Sequence, residues 1–186
     1  MKKFPKTTPA DSPEYVAGLQ QELLADAEKA LGKLKTLIRI EPPRFQEPGP
    51  GPIIQFNHAE DAVWALLSSV AAGDWRALVE ELGHEVTHLL DARRGAASWL
   101  EEGVAIAFSA RSMIACKLKV HYSEHVNFEK AFRLANNLPN GAIPFGKKVR
   151  ETFGSLTGPT ASDLISIAPK LDLQTAEKLV KLFPPV

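Results

Sequence analysis

Between Glu41 and Pro52 the chain carries five prolines and two glycines. Proline has no N–H to donate and fixes its own φ, so neither a helix nor an unbroken strand ladder runs through such a stretch. The segment reads as a loop without regular structure, and the rest must fold as a lead before it and a longer body after it. In the lead, Val16, Leu19, Leu23, Ala27, Ala30, Leu34 and Leu37 recur at helical spacing. That predicts a helix from about Pro13 to Ile38, with Ser12 as N-cap and Pro13 in the first turn. Residues 1–12 are polar and proline-punctuated and are expected to form a mobile arm. Leu37 to Glu41 can form a short strand ahead of Pro42-Pro43.

After the loop, Ile53-Ile54-Gln55-Phe56 reads as a short strand. Helices are expected over about Ala59 to Ala72 and Trp75 to Arg93, broken at Gly73, with Asp74 as N-cap of the second. Gly95 sits where a helix end belongs, and Ser98 opens a helix that runs to about Cys116. Lys117 to Tyr122 is a strand or an irregular link. A helix spans about Glu124 to Asn137, a short one lies near Lys147 to Phe153, and Thr160 to Phe183 reads as a helical pair. No internal repeat is present. The expected fold is α+β and helix-dominated: a compact domain over residues 13–158 with a small sheet, and a helical tail over 159–186 packed on it.

Hydrophobic residues make up 45% of the 186, enough to bury one sizeable core. Lysine plus arginine equals aspartate plus glutamate at 22 each, so no net charge draws the chain to nucleic acid or to an anionic membrane. Cys116 is the only cysteine, which excludes an intramolecular disulfide and a cysteine zinc knuckle. No apolar run approaches the ~20 residues that span a bilayer, and the N-terminus lacks a signal peptide's apolar core. The expectation is a cytoplasmic protein with neither a nucleic-acid nor a membrane partner.

Chemistry concentrates in His84-Glu85-Val86-Thr87-His88. On a helix, residues four apart share a face, so both imidazoles can reach one metal ion. Glu85 projects beside them, placed to take a proton from a metal-activated water. Leu78, Leu82, Val86 and Leu89 supply the apolar stripe such a helix needs. A catalytic zinc also requires a third protein ligand and an open position. Downstream comes Ser98-Trp99-Leu100-Glu101-Glu102-Gly103. Ser98 with Glu101 forms a capping box, which gives Glu101 a structural task and leaves Glu102 as the ligand. Gly103 permits close approach of two packed helices.

His84-Glu85-x-x-His88 followed by Trp99-Leu100-x-Glu102-Gly103-x-Ala105 resembles the gluzincin group of zinc metallopeptidases, and its short linker resembles the compact minigluzincins. The resemblance covers about residues 75–112. It implies a zincin-like domain with one Zn2+ per chain, held by His84, His88 and Glu102, with Glu85 as general base. It also implies a peptide or protein substrate, cleaved by Glu85-assisted attack of a zinc-bound water. Three features depart from the group's pattern. Glu81 stands where a small or β-branched residue is usual. Ile106 stands where thermolysin-like members have an aspartate that supports a histidine, so Asp91 becomes a candidate partner, or else a solvated residue. No motif fixes the residue that hydrogen-bonds the developing oxyanion. His121 and Tyr122 are the candidates, and the resemblance favours Tyr122.

Other singled-out residues read more simply. His58 is a surface or core histidine, Cys116 a buried small residue, and Trp64, Trp75 and Trp99 packing residues. The Ile53 to Phe56 strand is either a plain core strand or an edge that pairs with extended substrate. The competing functional reading is a non-catalytic zinc-binding regulatory or interaction protein that retains a gluzincin site and binds a partner through its C-terminal helical pair, or a latent peptidase with the tail or the proline loop over the cleft.

Overall fold

The computed structural model describes residues 3–35, 38–47, 51–120 and 126–184. Eight helices and four short strands are present among them, so the α+β, helix-dominated architecture is as expected. The lead helix α1 (Pro13–Leu31) ends earlier than its apolar periodicity suggests, at Gly32 with φ 94°, a conformation open to glycine. Residues 3–12, expected to be mobile, lie against the body. Phe4 stacks on Trp75 at 5.3 Å, the Trp75 indole N–H donates to the Thr7 carbonyl at 2.9 Å, and Ala10 N–H donates to Ala72 at 3.0 Å.

The sheet is organised around β4 (Ala62–Leu67), where a helix was expected. Its run Ala-Val-Trp-Ala-Leu-Leu is apolar at every position, so helical and strand periods cannot be told apart. Five of the six residues are buried, which covers both faces of the strand. On one edge, β3 (Ile53–Phe56) pairs antiparallel. On the other edge lie β1 (Arg39–Ile40) and β2 (Arg44–Phe45), both parallel to β4. The carbonyls of Asp61, Val63 and Leu67 accept from Arg39, Glu41 and Gln46, while Ala62 turns the other way to Asn57.

β1 and β2 are thus one strand interrupted at Pro42-Pro43, and this corrects the reading of the whole proline stretch as loop. Three residues lie between Ile40 and Arg44, but only two between their partners Val63 and Leu66. The extra residue is a bulge at the prolines, which sit where their missing N–H groups remove only part of the ladder.

A short helix α2 (Ser69–Gly73) leads into α3 (Trp75–Leu89), capped by Asp74 as expected. The next helix, α4 (Trp99–Ala115), is capped by Ser98. They are followed by α5 (Val126–Asn136), α6 (Ala142–Phe153), α7 (Ala161–Ile167) and α8 (Leu173–Val180). Residues 118–120 form no strand. The core is packed between α1, the sheet, α3, α4 and α6. α3 and α4 pack closely at Gly83, where an added Cβ would meet Ser109 Cα and Ser112 Cβ at 3.2 Å. α4 and α5 are tighter still at Gly103, where a Cβ would lie 2.5 Å from the Ala131 carbonyl oxygen.

Buried Arg150 on α6 ties three segments together. Its guanidinium forks onto Asp91 at 2.7 and 2.8 Å and also donates to the carbonyls of Leu31, Gly32 and Lys33. That network fixes the C-terminal ends of α1 and α3 against α6. No helix among the described residues is long and apolar enough to cross a membrane.

Candidate metal centre

α3 brings His84 and His88 onto one face one turn apart, and their Nε2 atoms lie 3.0 Å from each other. His84, Glu85 and His88 each offer a ligand atom within 4.8 Å of the others, a group that could hold a metal ion. Glu102, in the first turn of α4, reaches the same point. Its Oε2 lies 3.3 Å from His84 Nε2 and its Oε1 3.6 Å from His88 Nε2. The close crossing at Gly83, which precedes His84, allows the two helices to share this cluster.

Glu101 does more than the sequence suggested. Its backbone N–H donates to the Ser98 hydroxyl at 3.2 Å, so half of the capping box forms. Its carboxylate does not return to the Ser98 N–H, which donates to the Thr157 hydroxyl instead. The carboxylate pairs with His88 Nδ1 at 2.8 Å, with Arg93 at 2.9 Å and with the Thr157 hydroxyl at 2.5 Å. It is therefore Glu101, and not Asp91, that holds a histidine of the cluster. Asp91 is taken up by Arg150. The one local signal for this was the Glu101-Glu102 pair itself, since consecutive helical residues point about 100° apart. One carboxylate at the cluster leaves the other beside it.

Electrostatics follow from this packing. Burial alone would lower His88, but the hydrogen bond to Glu101 and the charges of Glu102, Glu101 and Glu85 override it and raise its pKa to about 10. Burial would raise Glu101, yet the His88 hydrogen bond and charge, Thr157 and Arg93 bring it down to about 2. Glu102 is likewise lowered despite burial, by its hydrogen bond to His84 and the charges of both histidines. Glu85 goes the other way. Burial raises it, and the histidines only partly offset that. Glu81 is raised by burial although Ser68 donates to it from both its N–H and its hydroxyl, at 2.8 and 2.5 Å. That pair clamps α3 to the end of β4, which explains a glutamate at this position.

The cluster opens into a cavity of about 1270 Å³. Gly51 to Ile54, Ile106, Phe128, Phe132, Phe183 and Pro184 contribute to its walls. The tail reaches the cavity by pairing with the chain ahead of α4: Trp99 N–H donates to Lys181 and Phe183 N–H to Ala97. Of the remaining sequence candidates, His121 and Tyr122 lie outside the described residues. His58 is exposed in a turn, and Cys116 is buried at the end of α4. Trp64 and Trp99 are buried under Arg44 and Lys178, while Trp75 packs on Phe4 and Tyr15. No family model matches the chain, and neither does any curated protein or solved structure.

Proposed function

We propose that this chain is a zinc-dependent metallopeptidase of gluzincin type, with His84, His88 and Glu102 as the ligands and Glu85 as the general base. The observation that carries the reading is the spacing of the donor atoms: the two Nε2 atoms lie 3.0 Å apart, and the two oxygens of the Glu102 carboxylate lie 3.3 Å from His84 and 3.6 Å from His88. Bonds of about 2.0–2.1 Å in a tetrahedral site put ligand atoms ~3.3 Å apart. Two imidazoles and one carboxylate suit zinc, and three protein ligands leave a position open for catalysis. Zinc in such a site supplies Lewis-acid polarisation of a carbonyl and of a water molecule.

The chain's residues do the rest. Glu101 receives the Nδ1–H of His88, which fixes the ring's tautomer and aims Nε2 at the cluster. Glu85, buried beside the histidines with its pKa raised, takes the proton of the attacking water and returns it to the leaving amine. β3 borders the cavity at Ile53 and Ile54, which suits an extended peptide laid along it. Tyr122 as the oxyanion's hydrogen-bond partner, and the peptide bond as the one cleaved, rest on the resemblance of the two motifs.

The test is bound metal per chain, by elemental analysis, together with turnover of a fluorogenic peptide pool. Wild type and Glu85→Gln should each hold about one zinc, Glu102→Ala much less. Glu85→Gln should lose on the order of 10²–10⁴ in turnover. Wild type that takes up no zinc on reconstitution would overturn the reading. Zinc without turnover of any peptide would favour the regulatory alternative.

A further inference from the structure

We infer that Ile106, Phe128, Phe132 and Phe183 form an apolar subsite beside the metal cluster that takes a large apolar side chain of the substrate, with Phe183 of the C-terminal segment setting its depth. The inference rests on the peptidase reading above. Ile106 lies one turn beyond Glu102 on α4 and so shares its face. It lines the cavity and presents apolar surface next to the cluster. Phe128 and Phe132 lie one turn apart on α5, and both line the cavity. The Phe128 ring stands edge-on to His84 at 6.1 Å between centroids. Phe183 stacks on Phe128 at 5.4 Å and meets Trp99 at 4.9 Å. An unbroken aromatic path thus runs from a histidine of the cluster to the tail.

Charge is placed elsewhere. Of the charged residues lining the same cavity, Arg133 pairs with Glu129 at 2.6 Å, Arg93 with Glu101, Asp91 with Arg150, and Glu81 with Ser68. Arg93, Asp91 and Glu81 are thus held by scaffold partners, the Glu129–Arg133 pair lies out at the exposed side of α5, and Ile106, Phe128, Phe132 and Phe183 give this wall its ring and aliphatic surface. Phe183 is held there by the main chain, since its N–H donates to the Ala97 carbonyl at 2.8 Å. Its ring position therefore follows from the same loop that starts α4.

The probe is a pair of hydroxamates of equal length, one bearing a benzyl side chain and one a carboxyethyl side chain. Each is titrated by calorimetry into zinc-loaded Glu85→Gln protein, so that binding is read without turnover. The benzyl compound should bind tenfold or more tighter, the order of magnitude an apolar pocket discriminates. Phe183→Ala and Phe132→Ala, each added to that background, should cut the ratio to about threefold or less, and Phe183→Leu should retain most of it. Two alanine variants are used because removing Phe183 can unseat the tail. Equal affinities in zinc-loaded protein, or a ratio that neither alanine variant changes, would overturn the subsite and leave the peptidase reading standing. Protein that holds no zinc would overturn both.

Discussion

On the α3–α4 side of the cavity the groups are held by hydrogen bonds with defined partners; on the α5 and tail side they are held by ring contacts. Glu101 alone satisfies a histidine, an arginine and a threonine within 2.5–2.9 Å. Phe128, Phe183 and Trp99 meet ring to ring at 4.9–5.4 Å, with the main chain of Phe183 and Trp99 tied by hydrogen bonds between the tail and the start of α4. The polar side depends on single atoms and protons, the apolar side on volume. A deletion on one side should therefore leave the readout of the other nearly untouched.

The strongest challenge to that separation is Arg150→Ala. It leaves the Asp91 carboxylate, the buried Leu31 carbonyl at the end of α1 and the Gly32 and Lys33 carbonyls after it without their donor, and should cost about 3–5 kcal/mol of stability in chemical denaturation. Both sides would loosen together, and a variant within 1 kcal/mol of wild type would show that Arg150 is not the shared anchor. Glu101→Ala tests the polar side alone. It should weaken zinc binding by roughly 10–100-fold, measured by competition with a chromogenic chelator. Glu101→Gln, which can still accept the His88 N–H, should recover much of the loss.

Gly103→Ala tests the apolar side. The new Cβ would meet the Ala131 carbonyl oxygen at 2.5 Å, and α5 must move. Overpacking of this kind costs about 1–3 kcal/mol, or about 2–12 °C in the melting temperature of a chain this size. Zinc stoichiometry should be preserved, and a Gly103→Ala protein that melts like wild type would refute the tight contact.

The smallest effect is a proton count. With its pKa raised to about 10, His88 is protonated at pH 8 in the metal-free chain, and coordination through Nε2 needs the neutral ring. Zinc binding should therefore release about one proton at pH 8, read from calorimetry in buffers of different ionisation enthalpy. The same shift has a stability consequence in the metal-free protein. The contribution of the His88–Glu101 pair should be full below the ordinary histidine range and fade as pH rises towards 10. Glu101 is lowered to about 2, so its part should be present above the ordinary glutamate range and fade as pH falls through 2.

The two sides also differ in what the sequence reveals. The helix that carries His84 and His88, the Ser98 cap and the position of Glu102 are local patterns, readable at spacings of three and four residues. β4 was not readable, because a run buried on both faces has no polar beat to mark its period. Two cues did point to a strand: the run is only six residues long, and it lies between the Asn57 to Asp61 turn and Ser68. β2 was hidden by the prolines, which a parallel outer strand tolerates once a bulge absorbs them. Glu101's second task was hidden because Thr157, one of its three partners, lies 56 residues away, and a cap was explanation enough for a glutamate there. Phe183 as a wall of the cavity is a contact made entirely by tertiary packing.

That pairing of the tail with the start of α4 imposes an order of events during synthesis. A chain made from its N-terminus can form α3 and α4 as soon as both have emerged, and domains fold as their segments become available. The carbonyl of Lys181 that receives the Trp99 N–H, and the Phe183 ring against Trp99, are made more than sixty residues after the end of α4. Until then the cavity lacks the part of its wall that Phe183 and Pro184 contribute. A nascent chain would thus gather its histidines and glutamates early but complete the wall of the cleft only once residues 181–184 have emerged.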